Sequence, residues 1–196
     1  MIGRGRSGTV FLARHLGLDE ERAIKRVRRT ESGVIQEAAL LKRLRHPGIP
    51  IIYDLEIDEN YYYLIEEYLC GESLYARIER TGSLQTGELI RLGIELCRIM
   101  NYLHSFKPNP ILYLDLHPGN LLICREQLKL IDFDQAALAS LSQERSVCYG
   151  TKGFAAPEQY EGGTLDERTD IYAIGALLYY MGTGHAPEGE IKAGQG

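Results

Sequence analysis

The sequence lacks paired cysteines. Cys70, Cys97, Cys124 and Cys148 are widely spaced and form no CxxC pair. That argues against a zinc site or a disulfide framework and for reduced thiols in a cytoplasmic protein. Long apolar runs are missing too. None reaches the roughly 18 residues of a membrane span, and the longest candidate, Ile171 to Met181, reads as a buried helix. No signal peptide is visible at Met1. Positive charge is not in excess: 22 Lys and Arg stand against 27 Asp and Glu, a net charge of -5, which argues against nucleic acid as the main partner. A local basic stretch (Lys25, Arg26, Arg28, Arg29, then Lys42, Arg43, Arg45) reads as a solvated helix and its flank. There is no repeat and no low-complexity segment. What is there is a chain of 196 residues, 44% hydrophobic and 25% charged, globular in composition and long enough for one core or two small lobes sharing a cleft.

The pattern of the chain changes near Gly71. Before it, Met1 to Leu16 reads as strand, glycine turn, strand, and Ala23 to Val27 as another short strand. Val34 to Arg45 carries Ile35, Ala38, Leu41 and Leu44 at helical spacing, with Pro47 and Pro50 ending it. Ile51 to Ile57 and Tyr61 to Tyr68 read as strands joined by a turn at Asp58 to Asn60. After Gly71, Glu72 to Arg80 suits a short helix. Thr86 to His104 is a long amphipathic one with Leu89, Gly93, Leu96, Met100 and Leu103 on one face. Leu121 to Cys124 and Leu128 to Ile131 are short strands, Ser140 to Lys152 a loop, and Asp170 to Met181 a buried helix. A β-rich half followed by an α-rich half predicts an α+β molecule of two lobes with a cleft between them.

Four segments carry chemistry. Gly3, Gly5 and Gly8, followed by Val10, let backbone N–H groups approach phosphates unobstructed. Their strand-turn-strand setting does not fit a dinucleotide-binding fingerprint, which needs a helix after the glycines. Lys25 sits inside an apolar strand, where an ammonium is costly unless it meets an anion. Glu37 sits on a core-facing helical stripe, and a Lys25–Glu37 pair explains both. Asp115 and Asn120 stand five apart on a tight loop, suited to orienting a hydroxyl and to binding a metal. Asp132 ends an apolar strand, and with Asn120 it makes a pair suited to Mg²⁺.

In order and spacing these segments resemble the eukaryotic-type Ser/Thr protein kinase family, including its bacterial members, over nearly the whole chain. Glu67-Tyr68-Leu69 is similar to the family's hinge. Gly150 to Glu158 resembles the end of an activation segment, and Asp170 to Gly175 the start of the central C-lobe helix. The resemblance implies an N-lobe and hinge over residues 1–69, with an incomplete first strand, and a partial C-lobe over 70–196. It implies ATP and Mg²⁺ as cofactors and a protein as substrate. Gly3, Gly5, Gly8 and Val10 would cover the nucleotide. Lys25, held by Glu37, would meet its phosphates, and the backbone around Glu67 and Leu69 would meet the adenine edge. Asp115 would take the hydroxyl proton, while Asn120 and Asp132 would hold Mg²⁺. Thr151, beside the catalytic aspartate, favours Ser/Thr over Tyr acceptors. Glu158 would pair with an arginine beyond the chain's end, and an uncovered C-lobe surface would favour self-association.

The chain departs from the family pattern at four positions. Leu114 replaces the arginine that receives an activation-loop phosphate, which implies activity without phosphorylation at Thr151 or Ser146. His117 replaces a lysine near the transferred phosphate; free histidine titrates near 6.5, so a permanent cation gives way to a partial one. Asp134 replaces a glycine, either as a further metal ligand or as a solvated group. Glu66, just before the hinge, stands where an uncharged side chain is usual, and the sequence offers no physical reason for it. Two other readings stay open: a nucleotide-binding scaffold without transfer, and a small-molecule kinase of the aminoglycoside or choline phosphotransferase type. Gly150 to Glu158 argues against the latter.

Overall fold

The computed structural model describes residues 1–5, 8–30, 33–142 and 150–187. The chain begins with a five-stranded antiparallel sheet whose spatial order is β1-β2-β3-β5-β4: β1 (Gly3–Gly5), β2 (Gly8–His15), β3 (Glu20–Arg28), β4 (Ile52–Ile57) and β5 (Tyr61–Glu67). Period-two alternation sorts β3 into two faces. Ala23, Lys25 and Val27 are buried. Arg26 lies on the other face, its guanidinium over the Tyr61 ring at 4.7 Å and the Phe11 ring at 5.1 Å. The first part of the basic stretch is therefore not a solvated helix: Lys25 to Arg28 lie on a central strand, with arginine over aromatic rings on its outer side.

Between β3 and β4 lies α1 (Gly33–Leu41). It ends four residues earlier than the spacing predicts. Its buried face is Val34, Glu37, Ala38, Leu40 and Leu41, while Ile35 is 47% exposed. The apolar spacing at Ile35 was shared with a second register, and the sheet selected the one that carries Glu37 inward.

After the hinge, β6 (Glu72–Ser73) leads into α2 (Leu74–Thr81). The helix starts at Leu74 and not at Glu72 because Ser73 caps it, its side chain accepting from Ala76 N at 3.1 Å. The 19-residue α3 (Thr86–His104) has the predicted limits and buries Leu92, Gly93, Leu96, Ile99, Met100 and Leu103. Then come β7 (Ile111–Leu112), a 3-10 turn at Pro118–Asn120, β8 (Leu121–Cys124), β9 (Gln127–Leu130), β10 (Ala137–Leu138), α4 (Ala139–Ser142), α5 (Pro157–Glu161) and α6 (Glu167–Thr183). Asp132 therefore stands two residues beyond a strand and does not end one. The predicted loop at 140–152 begins inside α4, and its part at 143–149, with Ser146 and Cys148, lies outside the described residues. Cys70, Cys97 and Cys124 are free thiols.

The α3 and α6 helices pack closely because Gly93 leaves room: a Cβ there would stand 2.9 Å from Leu178 Cδ2. The α6 helix begins three residues before the predicted start. Asp166 caps it, accepting from Arg168 N at 2.9 Å. It is buried on one face only. Ala173, Ala176, Leu177, Tyr180 and Met181 face the core, whereas Ile171, Tyr172 and Tyr179 are exposed. One apolar cluster runs from Val27 and Leu64 through Leu96 and Leu130 to Met181, so sheet and helices share a core. Among the described residues, no helix is long and apolar enough to cross a membrane.

Candidate active site

A cleft of about 180 Å³, partly open to solvent, lies between the sheet and the segments that follow β7. Lys25 reaches it from β3, where it pairs with Val10 on β2 and Leu64 on β5. Its Nζ donates to Glu37 Oε2 at 2.8 Å and Oε1 at 3.0 Å, and to Asp132 Oδ1 at 2.6 Å. Burial alone would lower the Lys25 pKa, but the Glu37 and Asp132 carboxylates outweigh it and hold the group above its ordinary value, so it stays a cation. Burial pushes Glu37 up, against the pull of Lys25. Glu37 Oε1 also accepts from Phe133 N at 3.1 Å. One buried carboxylate thus fixes both the lysine and the turn that carries Asp132.

The loop that carries Asp115 is anchored from below. Asp170, fully buried near the start of α6, accepts from Tyr113 N and Leu114 N at 2.9 Å each and lies 2.9 Å from His104 Nε2. Tyr113 is buried, and its hydroxyl donates to the carbonyls of Ile131 and Asp132, the latter at 2.9 Å. Its ring meets Phe133 edge-on at 5.2 Å between centroids. Leu114 has φ 67°, a strained angle for a leucine. Its side chain is buried with Leu112 and Leu165. Where the family's arginine would reach a phosphate, this chain has a small apolar cluster.

Asp115 then collects its neighbours. Thr151 Oγ1 donates to Asp115 Oδ1 at 2.9 Å, Asn120 Nδ2 lies 3.5 Å from Oδ2, and His117 Nε2 lies 3.7 Å from it. His117 Nδ1 accepts from Gly119 N at 3.1 Å, which leaves the ring proton on Nε2, facing the carboxylate. Gln159 ties the downstream segment to this loop: its Nε2 donates to Leu114 O at 2.7 Å and its Oε1 accepts from Ala156 N at 3.1 Å. Glu158 accepts from Thr169 Oγ1 at 2.8 Å. A threonine at the start of α6 thus ties Glu158 to that helix.

Asn120 and Asp132 line the same cleft. Asp132 has φ 62°, which an aspartate tolerates better than most residues. Asn120 Nδ2 also donates to Asp115 O at 3.1 Å, so the amide oxygen is the atom it offers a cation. One carboxylate and one amide oxygen suit Mg²⁺, which takes its other ligands from phosphates and water. Among the described residues no group of three or more His, Cys, Asp or Glu side chains could hold a metal by itself. Asp134 is not among the residues lining the cleft, and burial and then Asp132 raise its carboxyl above the usual range.

Gly5, Gly8 and Val10 line the cleft roof, with Glu67 and Leu69 at its hinge side. Gly3, paired with Val10, is not among the lining residues. Gly8 is required as glycine: its φ is 140°, and a Cβ there would stand 2.5 Å from Arg26 O. Tyr113, Gln159 and Asp170 were not singled out for function by the sequence reading. A buried aspartate at the head of an apolar helix was the one available signal, and it pointed to Asp170.

The sequence matches a family model described as protein kinase domain over residues 1–194. Among curated proteins it is 33% identical to sperm motility kinase 2B of Mus musculus over 191 residues, covering 95% of this chain and 39% of that protein. It is 34% identical over 198 residues to the serine/threonine-protein kinase PrkC of Bacillus subtilis, covering 95% of this chain and 30% of that protein. With the serine/threonine-protein kinase pkn3 of Myxococcus xanthus it shares 29% over 207 residues, covering 95% and 37%. The chain spans less than two-fifths of the length of each of these relatives. With a family model matching residues 1–194 and relatives above 30% identical across 95% of its length, the chain belongs to the protein kinase domain family.

Proposed function

We propose that this chain transfers the γ-phosphoryl group of ATP to serine or threonine hydroxyls of proteins. The observation that carries the reading is Lys25 held between Glu37 and Asp132 at the cleft, with Asp115 and Thr151 joined beside it. Residues 1–69 form the nucleotide-binding lobe and hinge, and 70–196 the lobe that carries the transfer. The glycine loop and Val10 cover the nucleotide, Glu67 and Leu69 meet the base through their backbone, and Lys25 meets its phosphates.

The acceptor oxygen forms a bond to the γ-phosphorus as the bond from that phosphorus to the β,γ-bridging oxygen breaks. The hydroxyl proton passes to Asp115, which Thr151 and Asn120 hold in place. Asn120 and Asp132 would hold Mg²⁺, which neutralises developing phosphate charge when bound. The rest is positioning. Free thiols at Cys70, Cys97 and Cys124 support a cytoplasmic setting.

Protein acceptors are favoured over small alcohols because Gln159 and Phe154 pack the 150–161 segment onto the catalytic loop and α6, the Phe154 ring meeting Tyr180 edge-on at 5.6 Å. Incubation with γ-labelled ATP, Mg²⁺ and a panel of Ser/Thr peptides, tyrosine peptides and small alcohols tests this. Label on Ser/Thr peptides, lost in Asp115→Asn, is the expected result. Label on the small alcohols alone, or none in the wild type, overturns it.

A further inference from the structure

The side of the sheet that faces away from the cleft takes no part in the mechanism above. Strand pairing lines up Arg4, Thr9, Arg26, Tyr63 and Glu56 as one rung across all five strands, and directly paired residues share a face. Two residues along β3, Arg28 pairs with Tyr61 and so lies on that face too. The Arg26 guanidinium stands over two rings at once, Tyr61 at 4.7 Å and Phe11 at 5.1 Å. Arg4 and Arg28 are exposed. Among the described residues no ion pair joins Arg4, Arg26 or Arg28 to a carboxylate. The acids of this face stand at its β4 edge. Glu56 ends the rung, and the oxygens of Asp58 already accept from the Tyr63 hydroxyl and from the N–H groups of Asn60 and Tyr61, at 2.7 Å each.

Three guanidiniums without carboxylate partners make a positive surface that an anion completes. A guanidinium held over rings is oriented in advance, and its N–H fork matches a carboxylate, so less side-chain freedom is lost on binding. Arg26 and Arg28 lie about 7 Å apart along β3, which is also the spacing of side chains on alternate residues of an extended segment. Arg4 stands two strands away, about 10 Å. A short peptide fits this surface better than a nucleic acid on two grounds. Arg26 already takes ring faces on which a base would stack, and the net charge of -5 repels a long polyanion. We propose that the outer face of the sheet, centred on Arg26, docks an acidic segment of a partner protein, held extended with its carboxylates on Arg26, Arg28 and Arg4. The docked segment leaves the cleft open, because Lys25 and Arg26 are neighbours on β3 and point to opposite faces.

Fluorescence anisotropy of the full chain with a labelled peptide of about ten residues, in which Glu alternates with Ser, tests the proposal at low salt. The wild type binds this peptide and not its counterpart with Lys in place of Glu. Arg26→Ala weakens binding about tenfold, and Arg28→Ala about threefold. Arg26→Lys keeps the charge but loses the fork and the stacking, and weakens binding severalfold. Melting curves report the folding of each variant, and Arg28→Ala, which removes an exposed side chain, carries the test where Arg26→Ala does not fold. Absence of binding to the wild type overturns the proposal, as does binding undiminished in both Arg28→Ala and Arg26→Lys, which places the peptide elsewhere. A single-stranded oligouridylate of the same length, bound more tightly than the peptide and lost in the same variants, overturns it in favour of a nucleic acid.

Discussion

The backbone N–H of Phe133 donates to Glu37 Oε1 at 3.1 Å, so the carboxylate that grips Lys25 also grips the turn of Asp132. Three chain segments meet at one side chain, and the position of α1 is thereby tied to that of Asp132.

Glu37 substitutions separate these duties. Glu37→Gln can still accept from Phe133 N but removes the charge opposite Lys25, and its transfer rate falls by about two orders of magnitude. Glu37→Ala also leaves the buried Phe133 N–H unpaired and Lys25 with one carboxylate fewer. It costs about 3–5 kcal/mol of stability. Urea melts alongside peptide phosphorylation check both; equal stability loss in the two variants contradicts the Phe133 link.

Leu114 predicts independence from activation-loop phosphorylation. Phosphatase-treated wild type keeps its full rate, measured on a Ser/Thr peptide. Leu114→Arg does not create a phosphate receiver, because the side chain is enclosed with Leu112 and Leu165. It lowers stability by about 2–4 kcal/mol in a denaturant melt. A stable Leu114→Arg chain that gains activity on phosphorylation contradicts this.

Thr151 and His117 act on Asp115 from two sides. Thr151→Val removes the 2.9 Å donor to Oδ1 and lowers kcat about tenfold with little change in KM for ATP or in melting temperature. His117→Lys places a fixed ammonium beside the acceptor site and raises kcat severalfold at neutral pH. Steady-state kinetics on one peptide substrate reads both, and a KM effect alone in Thr151→Val contradicts the first.

The raised Glu66 carboxyl also predicts how stability follows pH. An acid with a higher pKa in the folded chain, about 8 here, holds its proton more tightly than in the unfolded chain. Stability therefore falls as pH rises from near 4.5 through 8. Glu66→Gln removes that slope, so its melting temperature gains several °C on the wild type as pH goes from about 5 to about 8.5. Parallel melting curves against pH contradict it.

The chain's elements were legible where the pattern is local. The 3.6-residue period of Thr86 to His104 gives α3 its limits, and the apolar run Leu121 to Cys124 gives β8. Two-residue strands such as Ile111–Leu112 and Ala137–Leu138 exist only through their mutual pairing, which no local pattern reports. Lys25 and Glu37 were legible because each is a charge in an apolar setting. The bond from Phe133 to Glu37 was not, because a backbone N–H has no letter of its own. Leu114 could be read as a missing arginine but not as a buried side chain, since Leu165, which encloses it, lies 51 residues away in the sequence.

Asp170 gives the loop of Asp115 its seat from 56 residues downstream of Leu114. On the ribosome, the glycine loop, Lys25, Glu37 and Asp132 all emerge before that seat does. With one apolar core running from the sheet through to α6, the loop of Asp115 gains its seat only once that helix has been made, so the order of synthesis and the order of completion differ.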